Sequence, residues 1–547
     1  MKTPRKNQNH ALTAIAEAVC GIICHPTGAG KTNIEIWSIQ SEIEKAEWGF
    51  CVSAIIGPKI ILMQQLMKDA YKELVPKLGV KNKEIMFSAI HSGRDNSEEL
   101  NEIYASNGMA ELDLNNFTSV DNIVAKINSA KANNCPIVFT STYHSAERLV
   151  LALEKCGEKA AIVNFDEAHH LGGEESNGQF AKLPEQFSNV ANKQFYFTAT
   201  PVRTASKSGT GMENSKFGKM ISLYKPSEAI LDGYILRPRV MLLNVVDEKP
   251  KKEVNGEYAD GTLGSDVSAL IDGFDALRRT HDGKIAPKMI ATMRGSKHLK
   301  GVVKNEKFKE YCALRPNLHT FEILSGHSAY TWGGAKIDGK HERERRAFLS
   351  KLNEICSNPT NEVIVFHYDI LTEGIDLSGI TGVMLFRQLN KTKLIQLLGR
   401  AARIYRSENG GTDDNSRVCR EFQENGTLKT DKDFDHRYWI KPYAWIIVPS
   451  YGELGEDMSC MTYDMVAELR RYDFDPYRDI VIHQAGSTKP APTLEQVNKL
   501  DEKKVKKVVE HLDRLSVEIE KQEIADRVGE TVEKLEKGEI KHCFLEY

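Results

Sequence analysis

The sequence predicts an α/β fold of two successive parallel-sheet domains followed by a short helical tail. Three observations point to it. Short apolar runs of strand length alternate with longer amphipathic stretches through most of the chain, the pattern of parallel strands covered by helices. The runs form an early set, Gly21–Cys24, Cys51–Gly57, Pro136–Thr140, Ala160–Phe165 and Gln194–Thr198, and a late set, Lys288–Met293, Thr320–Leu324, Glu362–His367, Gly382–Phe386 and Ala444–Val448. A polar and charged stretch, Asp247–Gly264, separates the two sets.

Composition bounds the function. Of 547 residues, 41% are apolar and 27% charged, which supplies material for real cores and excludes a disordered, collagen-like or mucin-like chain. Lys and Arg number 73 against 76 Asp and Glu, a formal charge of −3, so bulk positive charge is not the means of binding, although a local basic track remains open. The 10 cysteines are scattered, and Cys20 and Cys24 sit in an apolar run that reads as buried thiols rather than zinc ligands. No run approaches the roughly 18–20 apolar residues of a membrane span, and the basic start, Met1 to His10, leads into no signal-peptide-like stretch. The expectation is a soluble cytoplasmic protein.

Thr204–Gly218 and Ser407–Asp435 read as exposed loops. Gly486–Pro492 reads as a linker, and Thr493 with Gln496 as a helix-capping box. Val505, Val508, Leu512, Leu515 and Ile519 recur at helical spacing among dense charges. That stripe suits a helix packed on the body better than a coiled coil, with a protein partner for the tail as the second possibility.

Three motifs carry chemistry. His25-Pro26-Thr27-Gly28-Ala29-Gly30-Lys31-Thr32 follows an expected strand and opens an expected helix, the context of a phosphate-binding loop. Its glycines let backbone N–H groups crowd around phosphates, Lys31 reaches the β and γ phosphates, and Thr32 can hold Mg²⁺. His25 departs from the strict pattern, which wants Gly or Ala there. Asp166-Glu167-Ala168-His169 follows the run Ala161–Phe165, where α/β sheets place ligands; Asp166 can hold the metal and Glu167 can deprotonate an attacking water. In Gln396-Leu397-Leu398-Gly399-Arg400-Ala401-Ala402-Arg403, residues Gln396, Arg400 and Arg403 stand at i, i+4 and i+7, so on a helix all three share a face suited to a phosphoryl transition state.

Together these motifs resemble a superfamily 2 helicase or translocase of the DEAD/DEAH-box kind, and further elements appear in that family's order. Arg5-Lys6-Asn7-Gln8 is similar to the family's upstream element, in which Gln8 reads the adenine edge. Pro58-Lys59 and Thr140-Ser141-Thr142 resemble motifs that touch the nucleic-acid backbone. Thr198-Ala199-Thr200-Pro201 resembles the coupling motif. In Leu371-Thr372-Glu373-Gly374-Ile375-Asp376, the resemblance gives Gly374 and Asp376 to the nucleotide and Thr372 to a strand phosphate. It also implies two RecA-like domains, 1–235 and 236–486, with 487–547 as linker and tail, and ATP bound between the domains. The wording around Thr372 to Leu377 and Pro226 to Tyr234 is similar to DNA-acting helicases of restriction and phage systems. The resemblance therefore implies an ATP- and Mg²⁺-dependent helicase or translocase acting on DNA, in a bacterial, phage or viral setting. The alternatives are an RNA helicase, or a nucleic-acid-sensing ATPase subunit of a larger complex.

Overall fold

The computed structural model describes residues 4–78, 84–91, 119–172, 180–199, 212, 215–245, 263–280, 285–324, 327–332, 335–338, 342–368, 377, 379–389, 391–405, 441–452, 454, 458, 460–487, 492–500 and 502–528. Among these no helix is long and apolar enough to cross a membrane. The chain divides into two compact units, Met1–Lys225 and Pro226–Tyr547.

In the first unit, β1 (Cys20–Cys24), β2 (Val52–Gly57), β3 (Met86–Ile90), β4 (Ile137–Thr142), β5 (Ala160–Phe165), β6 (Gln194–Thr198) and β7 (Met220–Leu223) form a 7-stranded sheet in the order β3-β4-β2-β5-β6-β1-β7. Every pairing is parallel. Side chains alternate across a strand, and here both faces are apolar. Ile22, Ile56, Phe139 and Tyr196 enter the core on one face, while Ile23, Ile55, Val138 and Phe197 enter the core on the other. Helices such as Lys31–Lys45, Ile60–Leu78 and Ala146–Cys156 follow the strands and cover those faces.

The second unit holds β8 (Pro238–Val245), β9 (Lys288–Thr292), β10 (Leu318–Leu324), β11 (His327–Trp332), β12 (Ala335–Asp338), β13 (Glu362–His367), β14 (Gly382–Leu385), β15 (Ala444–Tyr451) and β16 (Ile480–Gln484). They form a 9-stranded sheet, β12-β11-β10-β13-β9-β14-β15-β8-β16. From β10 to β16 all neighbours are parallel, and β11 and β12 extend one edge as an antiparallel pair. The tandem parallel sheets agree with the expected fold class, and the antiparallel pair is an addition to it.

The division between units falls ahead of the expected 235/236 boundary. Ile235 bridges Arg403, and the Leu236 N–H donates to the Ala402 carbonyl at 2.7 Å, so this segment is tied to the second unit's own backbone. The tail belongs to the same unit. Thr493 and Gln496 form the expected capping box, with reciprocal bonds of 2.9 and 3.3 Å. In the helix Glu502–Val528, Val505, Val508, Leu512, Leu515 and Ile519 are all buried, while His511 bonds the Met461 carbonyl at 2.9 Å and Asp513 accepts from Tyr477 at 2.9 Å. The apolar stripe is covered from within the chain, as expected of a helix packed on the body. The loops Thr204–Gly218 and Ser407–Asp435 lie largely or wholly outside the described residues, as do Thr200, Thr372, Gly374 and Asp376.

Candidate nucleotide and nucleic-acid site

Because the first sheet is parallel, the carboxyl ends of β1, β2, β4, β5 and β6 lie along one edge, the edge where such sheets bind ligands. The phosphate-loop sequence leaves β1, Pro58 and Lys59 leave β2, Thr142 ends β4, Asp166 follows β5, and Thr198 ends β6. Strand order decides which of these are neighbours. β6 lies between β1 and β5, so Thr198 stands between the loop and the acidic pair. The His25 N–H donates to the Thr198 carbonyl at 3.1 Å, and the Thr198 hydroxyl meets His169 Nδ1 at 3.4 Å.

Gly28 and Gly30 take φ of 90° and 86°, the left-handed region that side chains disfavour. Gly30 then starts the helix Lys31–Lys45, whose first N–H groups have no intrahelical acceptor and can serve an anion. A side chain at Gly30 would also collide with Gln8: its Cβ would lie 2.5 Å from Nε2. Gln8 is itself buried, donates to the Gly30 carbonyl at 3.1 Å, and accepts from the Arg5 N–H at 2.9 Å. Thr27 and Ala29 complete the loop, and Lys31 Nζ, largely buried, donates to the His25 carbonyl at 3.2 Å. The His25 ring turns away, bonding Ser222 of β7 at 2.9 Å and packing against Tyr224. Burial, with the nearby Lys31 and His10 charges, lowers its pKa to about 3, so a neutral histidine occupies the position where the usual pattern has Gly or Ala.

The acidic pair is buried unevenly: Asp166 is 6% exposed and Glu167 is half-buried. Asp166 is pushed up to about 7, first by burial and then by the Glu167 charge, with Lys31 opposing. Glu167 has φ of 50°, a left-handed conformation uncommon for a non-glycine residue. The Tyr143 hydroxyl donates to the Asp166 carbonyl, and the Tyr143 N–H to the Gly57 carbonyl at 2.8 Å, so one residue links the turns after β2, β4 and β5.

Sequence reasoning missed Glu35, on the helix behind the loop. It is fully buried, both carboxylate oxygens lack hydrogen-bond partners, and burial with the Asp166 charge raises its pKa well above the usual range. Asn164 of β5 donates to its main-chain carbonyl at 3.0 Å and to Ser38 at 2.9 Å. The set Thr32, Glu35, Asp166 and Glu167 offers hard oxygen donors beside an anion-binding loop, a donor chemistry that suits Mg²⁺. Among the described residues no three His, Cys, Asp or Glu converge on an ion by themselves. A magnesium ion that shares its coordination with nucleotide phosphates and water needs no such cage.

In the second unit the helix Lys391–Ala401 carries Gln396 and Arg400, both buried. The Gln396 Nε2 is buried without a hydrogen-bond partner. Arg403 corrects the expected shared helical face: the helix ends at Ala401, and Arg403 sits beyond it in an antiparallel bridge with Ile235. The bridge replaces the next helical turn, so i, i+4, i+7 spacing does not describe its direction.

Residues 1–203 match the family described as "Type III restriction enzyme, res subunit". Comparison with curated protein sequences finds no match. Among solved structures, the chain is similar to the "ATP-dependent Type ISP restriction-modification enzyme LlaBIII bound to DNA" at 18% identity and TM-score 0.61, covering 93% of this chain and 32% of that one. It is also similar to the nuclease-deletion mutant of the Type ISP restriction-modification enzyme LlaGI in complex with a DNA substrate mimic, at 16% identity and TM-score 0.53, covering 87% and 30%. The chain thus spans about a third of each enzyme's length. At these identities the likeness is one of fold. The family match lies within the first unit, Met1–Lys225.

Proposed function

We propose that the chain is an ATP-hydrolysing motor that moves along nucleic acid, with DNA as the favoured track. The observation that carries this reading is the shared edge of the first sheet. It sets the phosphate loop, the Asp166-Glu167 pair and Thr198 side by side, with Lys59 and Thr142 on the same edge. A nucleotide-binding enzyme needs the first group, and a motor has a use for strand-contacting groups on the same edge.

In this reading Lys31 and the N–H groups of Thr27 to Thr32 hold the phosphates, and Gln8 holds the adenine. Thr32 and Asp166 would hold Mg²⁺, which when bound neutralises phosphate charge. Glu167 accepts the proton of the attacking water. From the second unit, Gln396, Arg400 and Arg403 bear on the phosphates and Gly374 and Asp376 on the nucleotide, as the family resemblance implies. Pro58, Lys59, Thr142 and Thr372 contact the strand backbone, which gives grip with little sequence preference. Thr198 and Thr200 couple hydrolysis to movement; the Thr198 bond with His169 supports a link between the acidic box and that strand. DNA is favoured because the two similar solved enzymes are described with DNA or a DNA mimic. Triplex displacement tests the motor directly: ATP-dependent release of a third strand from duplex DNA is expected, and release without ATP, or none with it, counts against translocation.

A further inference from the structure

Lys441 lies 38 residues from Arg403 in sequence, yet its side-chain amino group meets the end of the helix Lys391–Ala401. Its Nζ donates to the Ala401 carbonyl at 2.7 Å and to the Arg403 carbonyl at 2.8 Å. The Ala402 carbonyl between them accepts from the Leu236 N–H at 2.7 Å. The Ala401 and Ala402 carbonyls at the helix end and the Arg403 carbonyl just beyond it are therefore all held, two of them by the Lys441 amino group. Lys441 is 1% exposed and forms no ion pair among the described residues. Burial, with the nearby Arg403 and Lys288 charges, lowers the Lys441 pKa well below the ordinary lysine value, so a buried lysine is a costly way to end a helix whose last turn could have been capped by glycine or water.

We propose that Lys441 is a positioning residue that fixes the backbone from which Arg403 projects. This rests on the reading that Arg403 acts on the nucleotide phosphates. Arg403 is anchored on one side by its bridge to Ile235 and on the other by Lys441, so its side chain starts from a fixed point although it stands outside the helix. Phosphoryl transfer depends on placement, and a shift of about 1 Å can cost on the order of 100-fold in rate.

The test is a double-mutant cycle on the full chain, Lys441→Met and Arg403→Ala singly and together, read as steady-state kcat and as affinity for a fluorescent ATP analogue. Lys441→Met is expected to lower kcat by roughly 10- to 100-fold while analogue affinity stays within about twofold. In the Arg403→Ala background it should cost nothing further. Unchanged kcat in Lys441→Met, or an equal loss in both backgrounds, overturns the positioning role while leaving Arg403 standing. Unchanged kcat in Arg403→Ala overturns the reading beneath it. Should Lys441→Met fail to fold, Lys441→Gln keeps one donor and is expected to show the same non-additivity at a smaller loss; additive behaviour there counts against the proposal.

Discussion

The Gln8 side-chain amide donates to the main-chain carbonyl of Gly30, 3.1 Å away, joining the element upstream of the first strand to the residue that opens the helix behind the phosphate loop. Through this contact, a residue assigned to the base also braces the loop assigned to the phosphates. Gln8→Ala should therefore weaken ATP binding by up to about tenfold, the worth of one good hydrogen bond, and narrow the preference for ATP over GTP. Competition binding with both nucleotides checks it. Undiminished ATP affinity contradicts the role.

Lys31 and Glu167 should fail differently. Lys31→Ala would remove the side-chain cation proposed to hold the phosphates, so turnover is expected to disappear. Glu167→Gln would remove the proposed proton acceptor but leave Asp166 and Thr32, so it should bind ATP and stall before hydrolysis. Equilibrium binding beside a phosphate-release assay separates the two. Loss of ATP binding in Glu167→Gln would make Glu167 structural.

Arg403→Ala should lower kcat on the order of 10³-fold with little change in ATP affinity, the signature of a group that acts in the transition state. Equal losses in both would place Arg403 in ground-state binding instead.

Lys288 gives a prediction about stability. It is fully buried at the start of β9, and burial lowers its pKa to about 8 despite the nearby Glu362 and Cys356. Below pH 8 both the native and unfolded forms carry the proton, so the burial penalty, about 3 kcal/mol for such a shift, is fully present. Between pH 8 and 10.5 the unfolded chain binds more protons than the native one, and the penalty fades as pH rises. Lys288→Met should thus raise Tm at pH 7 and raise it less at pH 10. A pH-independent Tm difference contradicts this account.

Much of this was legible in the sequence. Ala160–Phe165, Gln194–Thr198 and Glu362–His367 are strands over the residues expected, because runs buried on both faces carry a strong apolar signal. The strands not foreseen lie mostly toward sheet edges. β7 buries one side chain fully and leaves two exposed, β16 ends in His483 and Gln484, and β8 opens on Pro238, a residue tolerated at a strand's first position but read as a break. The placement of Gly28–Thr32 after β1 and of Asp166 after β5, and the helix carrying Gln8 upstream, follow from the sequence because these residues are local and ordered. Glu35 and Lys441 were not legible. Their roles depend on contacts that only the fold creates, such as Asn164 with Glu35 across 129 residues. Arg403 was misdirected for a related reason: periodicity extends a helix that a bridge to Ile235 ends.

The central claim, that this is a nucleic-acid-driven ATPase, is tested most directly by steady-state ATP hydrolysis at one low salt concentration, without polynucleotide and with single-stranded DNA, duplex DNA, forked DNA or RNA. The account predicts a low basal rate and strong stimulation by DNA over RNA, abolished by Lys31→Ala. Hydrolysis indifferent to every polynucleotide would contradict it.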